Sequence, residues 1–515
     1  MHGKASVRRK RPRRRVPHHG TPCAHAAHAA PHLQPRPPAG AGGADPEAAR
    51  QKPRRAARQR RGGAPRAHPH PAYAHAARTG ESARPPAAAR QKAEQLGDPQ
   101  RAVARVPAQT GPEKRRLPPL TTAILRIERI APRGLGVGRL DDGKVVLVRN
   151  AAPEELVRVR LFRARGAWFG ETIERIERGP MSAEPSCPVA EACGGCALQF
   201  VRTEAWARIK AAWAAEAFRG IAPEALLPLK APRVGPRRRA RIFRGADGWG
   251  FRRWHSHEAV PHAHCPMLSD ALNDATRALR EATSDARAAL LVQVGDAVHL
   301  VLEGGTKPQA LSGLRLWRKT RKGLAPLSGA QLARETLPQH AWYAPPPGSF
   351  VQSALGAEHT LADTLLEWLA DADTVGDLFC GAGALSLPLA AAGKRVIGAD
   401  VDAEAVAAAR FAARAQGLDA HYRVEDLSRP ERLADWVGLD ALVLDPPRSG
   451  AKEVLGKLGI LLPRRLVMVH CDVASARRDA TIAHRFGYRV QAIRAWDFFP
   501  GAGHVEVASL WRLGR

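Results

Sequence analysis

Hydrophobic positions along the 515-residue chain follow four different patterns, and each predicts a different kind of structure. Over residues 1–116, Ala, Pro, Arg and His follow one another with no period and almost nothing to bury, which predicts a disordered extension. From 117 to 180, short alternating runs of Ile, Leu and Val are broken by Gly and by the "DDGK" turn. That rhythm predicts five short strands closing a small barrel of the oligonucleotide-binding kind. Residues 181–345 are mixed: a cysteine-rich stretch, the helical run "TEAWARIKAAWAAEAF", then strands such as "ALLVQVGDAVHLVLEGG" between helices. From 346 to 515, apolar runs ("TVGDLFC", "KRVIGAD", "DALVLD", "RRLVMVH") alternate with Ala- and Leu-rich helical runs, as in an open, doubly wound parallel α/β sheet.

Charge adds a partner to this outline. The formal net charge is +31 and the pI about 11.0, so a polyanion is expected. Residues 1–116 hold 26 Lys and Arg against 6 acidic residues, yet the remaining chain is basic too. Its ordered part alone would favour RNA, DNA or an acidic membrane surface. The alternation "VRVRLFRAR" sets a row of Arg on one face of the barrel: either a solvated face or a grip on nucleic acid. The extension reads as an RNA-attracting tail, an upstream segment from a wrongly chosen start, or a localisation signal. No apolar run approaches the roughly 20 residues needed to cross a bilayer, and "MHGKASVRRK" does not open a secretory signal. Seven cysteines are too few for a disulfide framework. A cytoplasmic protein with no membrane partner is expected.

Small-molecule chemistry concentrates in the α/β region. "DLFCGAGALS" places Gly381 and Gly383 between a strand and a helix, where glycine lets a ligand approach the backbone and the helix start offers free N–H groups. The third glycine of a dinucleotide fingerprint is replaced by Ser386. Asp400 ends the next strand, where a carboxylate can take two ribose hydroxyls. Asp426 follows a third strand, and Asp445 in "LVLDPPRSG" a fourth. This set suits S-adenosylmethionine, which has a ribose and an amino acid but no pyrophosphate. Arg448 stands where methylases of exocyclic amino groups usually carry an aromatic residue, which argues against an amino-group target.

A pyrimidine carbon 5 becomes nucleophilic only when a thiolate adds to carbon 6, and a base must then remove the carbon-5 proton. Cys471 closes an apolar strand and opens a helical run, where a thiolate gains from backbone N–H groups. A buried structural cysteine is the bland alternative. Glu506 in "DFFPGAGHVEVASLWRL" is the candidate base, or else an ordinary strand glutamate. Cys380 is expected to pack beneath the cofactor.

Taken together, these residues resemble the RNA 5-methyluridine methyltransferases, over about residues 120–515. The resemblance is strongest to the branch acting on 23S ribosomal RNA, whose barrel is a TRAM domain and whose last domain has the Rossmann-like class I methyltransferase fold. It implies that Gln352 in "SFVQSA", Phe379, Asp400, Asp426 and Asp445 contact S-adenosylmethionine, that Cys471 is the nucleophile and that Glu506 accepts the proton. It also implies that Cys187, Cys193, Cys196 and Cys265 hold a [4Fe–4S] cluster. On spacing, three clustered cysteines plus one distant one suit such a cube, while His262 and His264 beside Cys265 leave zinc open. RNA is the implied partner, 23S rRNA ahead of tRNA, and the protein is expected to act as a monomer. The family's "SCNP" reads "HCDV" here, its "FPHT" reads "FPGA", and Ala384 and Ala354 replace two asparagines. Asp472 beside the thiol should make the thiolate scarcer. These departures motivate a third reading, an RNA-binding iron–sulfur protein without catalysis.

Overall fold

A computed structural model describes residues 121–514, apart from 165, 283, 307–310, 322, 330 and 430–433. The expected disorder of residues 1–116 lies outside the described residues. Six strands, not five, form the first sheet: β1 (Thr122–Arg126), β2 (Arg129–Ala131), β3 (Leu135–Arg139), β4 (Val145–Arg149), β5 (Leu156–Ala164) and β6 (Ala167–Glu177). Their order is β1-β5-β6-β4-β3-β2. The extra strand arises because the run "AILRIERIA" breaks at Ile127–Glu128, whose backbone N–H groups turn to Glu155 and Val137. The alternation works as expected: Val157 and Val159 are fully buried, while Arg158 and Arg160 look outward.

Helix α1 (Thr203–Phe218) follows the cysteine stretch. The central sheet comprises β7 (Arg239–Gly245), β8 (Gly248–Arg252), β9 (Ala259–Pro261), β10 (Ala288–Val294), β11 (Ala297–Glu303), β12 (Arg315–Thr320) and β13 (Gly323–Ser328), with α2 (Asp270–Glu281) packed on it. Ser269 starts α2 by accepting the Leu272 N–H. A short ribbon, β14 (Glu335–Thr336) and β15 (Trp342–Tyr343), leads into α3 (Ala357–Trp368).

The last domain is a seven-stranded sheet: β16 (Thr374–Leu378), β17 (Arg395–Asp400), β18 (Ala420–Val424), β19 (Ala441–Leu444), β20 (Arg465–His470), β21 (Tyr488–Trp496) and β22 (Glu506–Leu513). Helices α4 (Ser386–Ala391), α5 (Ala403–Ala415), α6 (Lys452–Leu455), α7 (Leu458–Leu461) and α8 (Val473–Arg485) connect it. The strand order is β18-β17-β16-β19-β20-β22-β21, so the crevice at the switch between β16 and β19 is a natural ligand site. The sheet departs from the all-parallel expectation in one strand. β22 pairs antiparallel with both β20 and β21. Its first residue, Glu506, therefore lies at the edge where the parallel strands end.

The three parts share one apolar core running from Val157 in the barrel through Trp213 in α1 to Trp511 in β22. α1 lies along α8, and the Trp213 indole N–H donates to the Ile130 carbonyl of the barrel at 2.9 Å. Lys210, on the same helix, is fully buried; it donates to the Asp497 carboxylate and, at 2.8 Å, to the Phe499 carbonyl. Burial pulls its pKa down to about 8, against the pull of Asp497. Removing one partner of such a pair leaves a charge stranded away from water. Lys210→Met is expected to destabilise the protein by about 3–5 kcal/mol. Thermal unfolding checks this, and adding Asp497→Asn should recover most of the loss.

Candidate active site

The glycine turn after β16 is held open by backbone geometry. Phe379 has φ 69° although it is not glycine, and Gly381 and Gly383 have φ 51° and 84°. Such a residue in the left-handed region costs on the order of 1–3 kcal/mol and marks functional turns. The Phe379 and Cys380 N–H groups donate to the Ala399 carbonyl at 2.9 and 3.1 Å. Cys380 is buried below the turn, as expected. A Cβ added to Gly381 would meet no atom within 4 Å, so the turn borders open space. Asp400 fixes it: one oxygen accepts the Gly381 N–H at 2.9 Å, the other the Asp402 N–H at 2.8 Å.

Gln352 is buried, and its amide donates to Asp445 Oδ2 at 2.9 Å. The Gln352 backbone N–H donates to Glu358 Oε1 at 2.8 Å, and Glu358 in turn is paired with the fully buried Arg238. Asp426 stands apart. It is exposed at the end of β18 and occupied by the Ser428 hydroxyl and N–H, which hold its carboxyl below the ordinary range.

The sequence reading passed over Asp377. It is 1% exposed, and among the described residues neither carboxylate oxygen has a hydrogen-bond partner of good geometry, although the Ser386 hydroxyl lies near enough to pull its pKa down somewhat. Burial, then the nearby Asp400 charge, lifts its pKa to about 7. Asp445 is likewise raised to about 7 by burial and then Asp377, and Glu358 to about 7 by burial. The one available signal was a carboxylate inside the apolar run "TVGDLFC". Several carboxyls crowded at one sheet edge make a site for a cation.

Cys471 follows β20 directly. The β20–β22 ladder ends with His470 opposite Val507, which sets Glu506 across from Cys471. Glu506 is 2% exposed, so the reading as an ordinary solvated glutamate is excluded. Burial and then Asp445 hold its carboxyl well above the usual range. Burial, followed by Glu506 and Asp445, pushes the Cys471 thiol up to about 12, while Arg448 opposes. Asp472, expected to suppress the thiolate, is the least of these influences. It caps α8 by accepting the Ala474 and Ser475 N–H groups, a task aspartate performs as well as asparagine. His504, also unnoticed in the sequence, accepts at Nε2 from the Arg448 guanidinium at 3.3 Å; burial and then that guanidinium depress its pKa to about 4, leaving it neutral.

Cys471 opens onto a cleft of about 620 Å³. The barrel turn Pro132–Arg133, the end of α1, the length of α8 and the segment Gly503–Val505 enclose it.

Cys187, Cys193, Cys196 and Cys265 line one small enclosed cavity, with Arg237, Phe251 and His262. Burial raises the Cys187, Cys193 and Cys265 thiols, the last to about 11. Among the described residues, no three His, Cys, Asp or Glu are gathered as ligands of a single metal ion. His262 stacks on Phe251 at 5.1 Å, and His264 is not in the lining. The cavity abuts the loop before Glu506. A Cβ on Gly501, which has φ 70°, would lie 3.0 Å from Cys196 Sγ and from Met267 Sδ, so a side chain at the position taken by histidine in "FPHT" would be strained and would have to displace those neighbours slightly. Ala197 and Leu198 donate to the Gly501 carbonyl, and Arg237 bridges the carbonyls of Gly195 and Pro500.

Comparison with known proteins agrees with these parts. Residues 122–170 match the TRAM domain and 375–442 a methyltransferase domain. The chain is 33% identical to the 23S rRNA (uracil(1939)-C(5))-methyltransferase RlmD of Pseudomonas putida, over 76% of this chain and 93% of that protein. It is 32% identical to the Alkalilimnicola ehrlichii protein of the same name, over 78% and 99%. Among solved structures, the tRNA (uracil-54, C5)-methyltransferase of Pyrococcus abyssi, in complex with S-adenosyl-L-homocysteine, superposes with a TM-score of 0.60 at 21% identity, covering 76% of this chain and all of that one. The fold, the two matched domains and the near full-length relatives agree: this chain belongs to the family of the 23S rRNA (uracil-C5)-methyltransferases.

Proposed function

We propose that the protein methylates carbon 5 of a uridine in RNA, with 23S ribosomal RNA as substrate and S-adenosylmethionine as methyl donor. The observation that carries this reading is the opposition of Cys471 and Glu506 at the end of the β20–β22 ladder, beside the carboxyl-lined crevice. Asp377, with both oxygens buried and unpartnered, suits a cationic amino group, and Gln352, Asp400 and the glycine turn suit the rest of the donor. Asp426, exposed at the rim, suits the adenine end. When bound, S-adenosylmethionine supplies the methyl group and a positive charge that offsets these carboxyls.

The Cys471 thiol gives up its proton to solvent and the thiolate Sγ adds to carbon 6 of the flipped uracil, so the electron pair of the 5,6 double bond becomes available at carbon 5. After carbon 5 is methylated, Glu506, ionised once the donor's positive charge offsets the burial and the Asp445 charge that raise its pKa, takes the carbon-5 proton. The C–H electrons restore the double bond, and the Cys471 thiolate leaves. Arg448, the cation that favours the thiolate, also keeps His504 neutral beside the reacting base.

The four cysteines suit a [4Fe–4S] cluster better than zinc. They surround one cavity, three from one stretch and one from a distant segment, which is a common way for a protein to hold such a cube. Methyl transfer moves no net electrons, so the role is structural: the site braces the loop that leads to Glu506. No helix among the described residues is long and apolar enough to cross a membrane, and a ribosomal RNA substrate suits a cytoplasmic enzyme.

Two measurements test the site. Cys471→Ala should give neither 5-methyluridine nor a covalent RNA complex, whereas Glu506→Gln should slow turnover by about 10²–10⁴-fold and accumulate a methylated RNA–protein adduct, visible on denaturing gels. For Asp377 the fold keeps the proton up to about pH 7, and the unfolded chain loses it near the ordinary 3.8. The cofactor-free protein therefore loses stability as pH rises through that window. Asp377→Asn should raise its Tm by a few degrees at pH 8, with a smaller gain at pH 5, and should weaken S-adenosylmethionine binding by about tenfold or more, measured by calorimetry.

A further inference from the structure

The barrel turn at Arg133 belongs to the active-site cleft. Arg133 has φ 77°, a conformation that L residues rarely adopt, and Gly134 follows with the same φ. The Arg133 N–H donates to the Gly503 carbonyl at 2.9 Å, and there is no room for a Cβ on Gly503, which would lie 2.0 Å from the Arg133 carbonyl carbon. The backbone is thus clamped to the segment that leads to Glu506. The side chain is not clamped. It is 75% exposed, its nearest acid is Asp472 Oδ2 at 3.8 Å, and its guanidinium makes no hydrogen bond among the described residues.

The other arginines near Cys471 are engaged. Arg477 donates to the Glu216 and Arg219 carbonyls, and Arg478 to Ser449 and Asp479. Arg485 lies at the far end of α8, about 20 Å along the helix from the nucleophile. The cleft contains two acids, Asp472, committed to capping α8, and Glu216, paired with Arg219. Arg448, which also faces Cys471, already spends a donor on His504; among the cations lining the cleft mouth, Arg133 makes no hydrogen bond to the described residues.

Resting on the RNA reading above, we propose that Arg133 binds the backbone phosphate of the nucleotide presented to Cys471. An enzyme that turns a base out of its stack must hold the flanking backbone while the base enters the pocket. A guanidinium offers a forked pair of donors to phosphate oxygens, and a phosphate would draw it from the long contact with Asp472. The barrel then supplies a residue at the reacting nucleotide, in addition to any general affinity for RNA.

The test is RNA binding by the full-length protein as a function of salt, with wild type, Arg133→Ala and Arg133→Lys, on an unmodified 23S rRNA fragment. Loss of one phosphate contact should lower the slope of log affinity against log salt by about 0.7–0.9. Arg133→Ala should also raise KM for RNA several-fold, leave the affinity for S-adenosylmethionine and the Tm unchanged, and Arg133→Lys should restore the slope. An unchanged slope and KM in Arg133→Ala would overturn the proposal, as would a lower affinity accompanied by a fallen Tm. Failure of the underlying reading is distinguishable: wild-type protein would bind RNA without forming 5-methyluridine, while the salt slopes would still report on Arg133.

Discussion

The segment Asp497–His504 is the part on which the rest of the molecule converges, and the buried pair of Lys210 with Asp497 is its anchor. Around that anchor the segment touches every other region. The barrel turn docks on Gly503, the cysteine loop donates to Gly501, and Arg237 of the central region reaches Pro500. Each contact is made to backbone at a glycine or carbonyl, so the segment has little freedom to shift. Two residues beyond it, β22 begins with Glu506. The position of the base therefore depends on contacts made by three separate parts of the chain. This gives the cysteine site a physical role in a reaction that consumes no electrons.

A second constraint is topological. In an all-parallel sheet, a strand's first residue lies at the edge opposite the ligand crevice. Reversing β22 alone brings Glu506 to the edge where Cys471, Asp445 and Asp377 already stand. Burial first, and then the nearness of the other acids, raises the pKa of each in the cofactor-free protein. A cation bound among them would favour their ionised forms and offset part of that cost.

Much of this was legible in the sequence, for identifiable reasons. Strand–glycine–helix spacing and carboxylates at strand ends located the crevice, because parallel sheets bind ligands where their strands end. Cys471 stood out because an apolar run stops there and a helix begins. What failed to show was tertiary. Spacing could not distinguish Glu506 from a solvated strand residue, since only the reversed strand and the neighbouring layers bury it. Asp377 was hidden because one acid in an apolar run looks like noise until both its oxygens prove unpartnered. Asp472 does raise the thiol as its charge suggested, but least of the groups around it; its capping of α8 was not legible from the local sequence. The barrel gained a strand because a two-residue break at Ile127–Glu128 is shorter than pattern reading resolves.

On the proposed reading, barrel, cysteine site and methyltransferase sheet act together to present a uridine to Cys471. The most direct measurement is single-turnover transfer of labelled methyl from S-adenosylmethionine, by anaerobically purified protein, to unmodified 23S rRNA fragments and tRNA transcripts. The label should appear as 5-methyluridine at one position in the 23S rRNA and be absent from tRNA. Label on another atom, on tRNA alone, or on neither RNA despite tight binding would contradict the account.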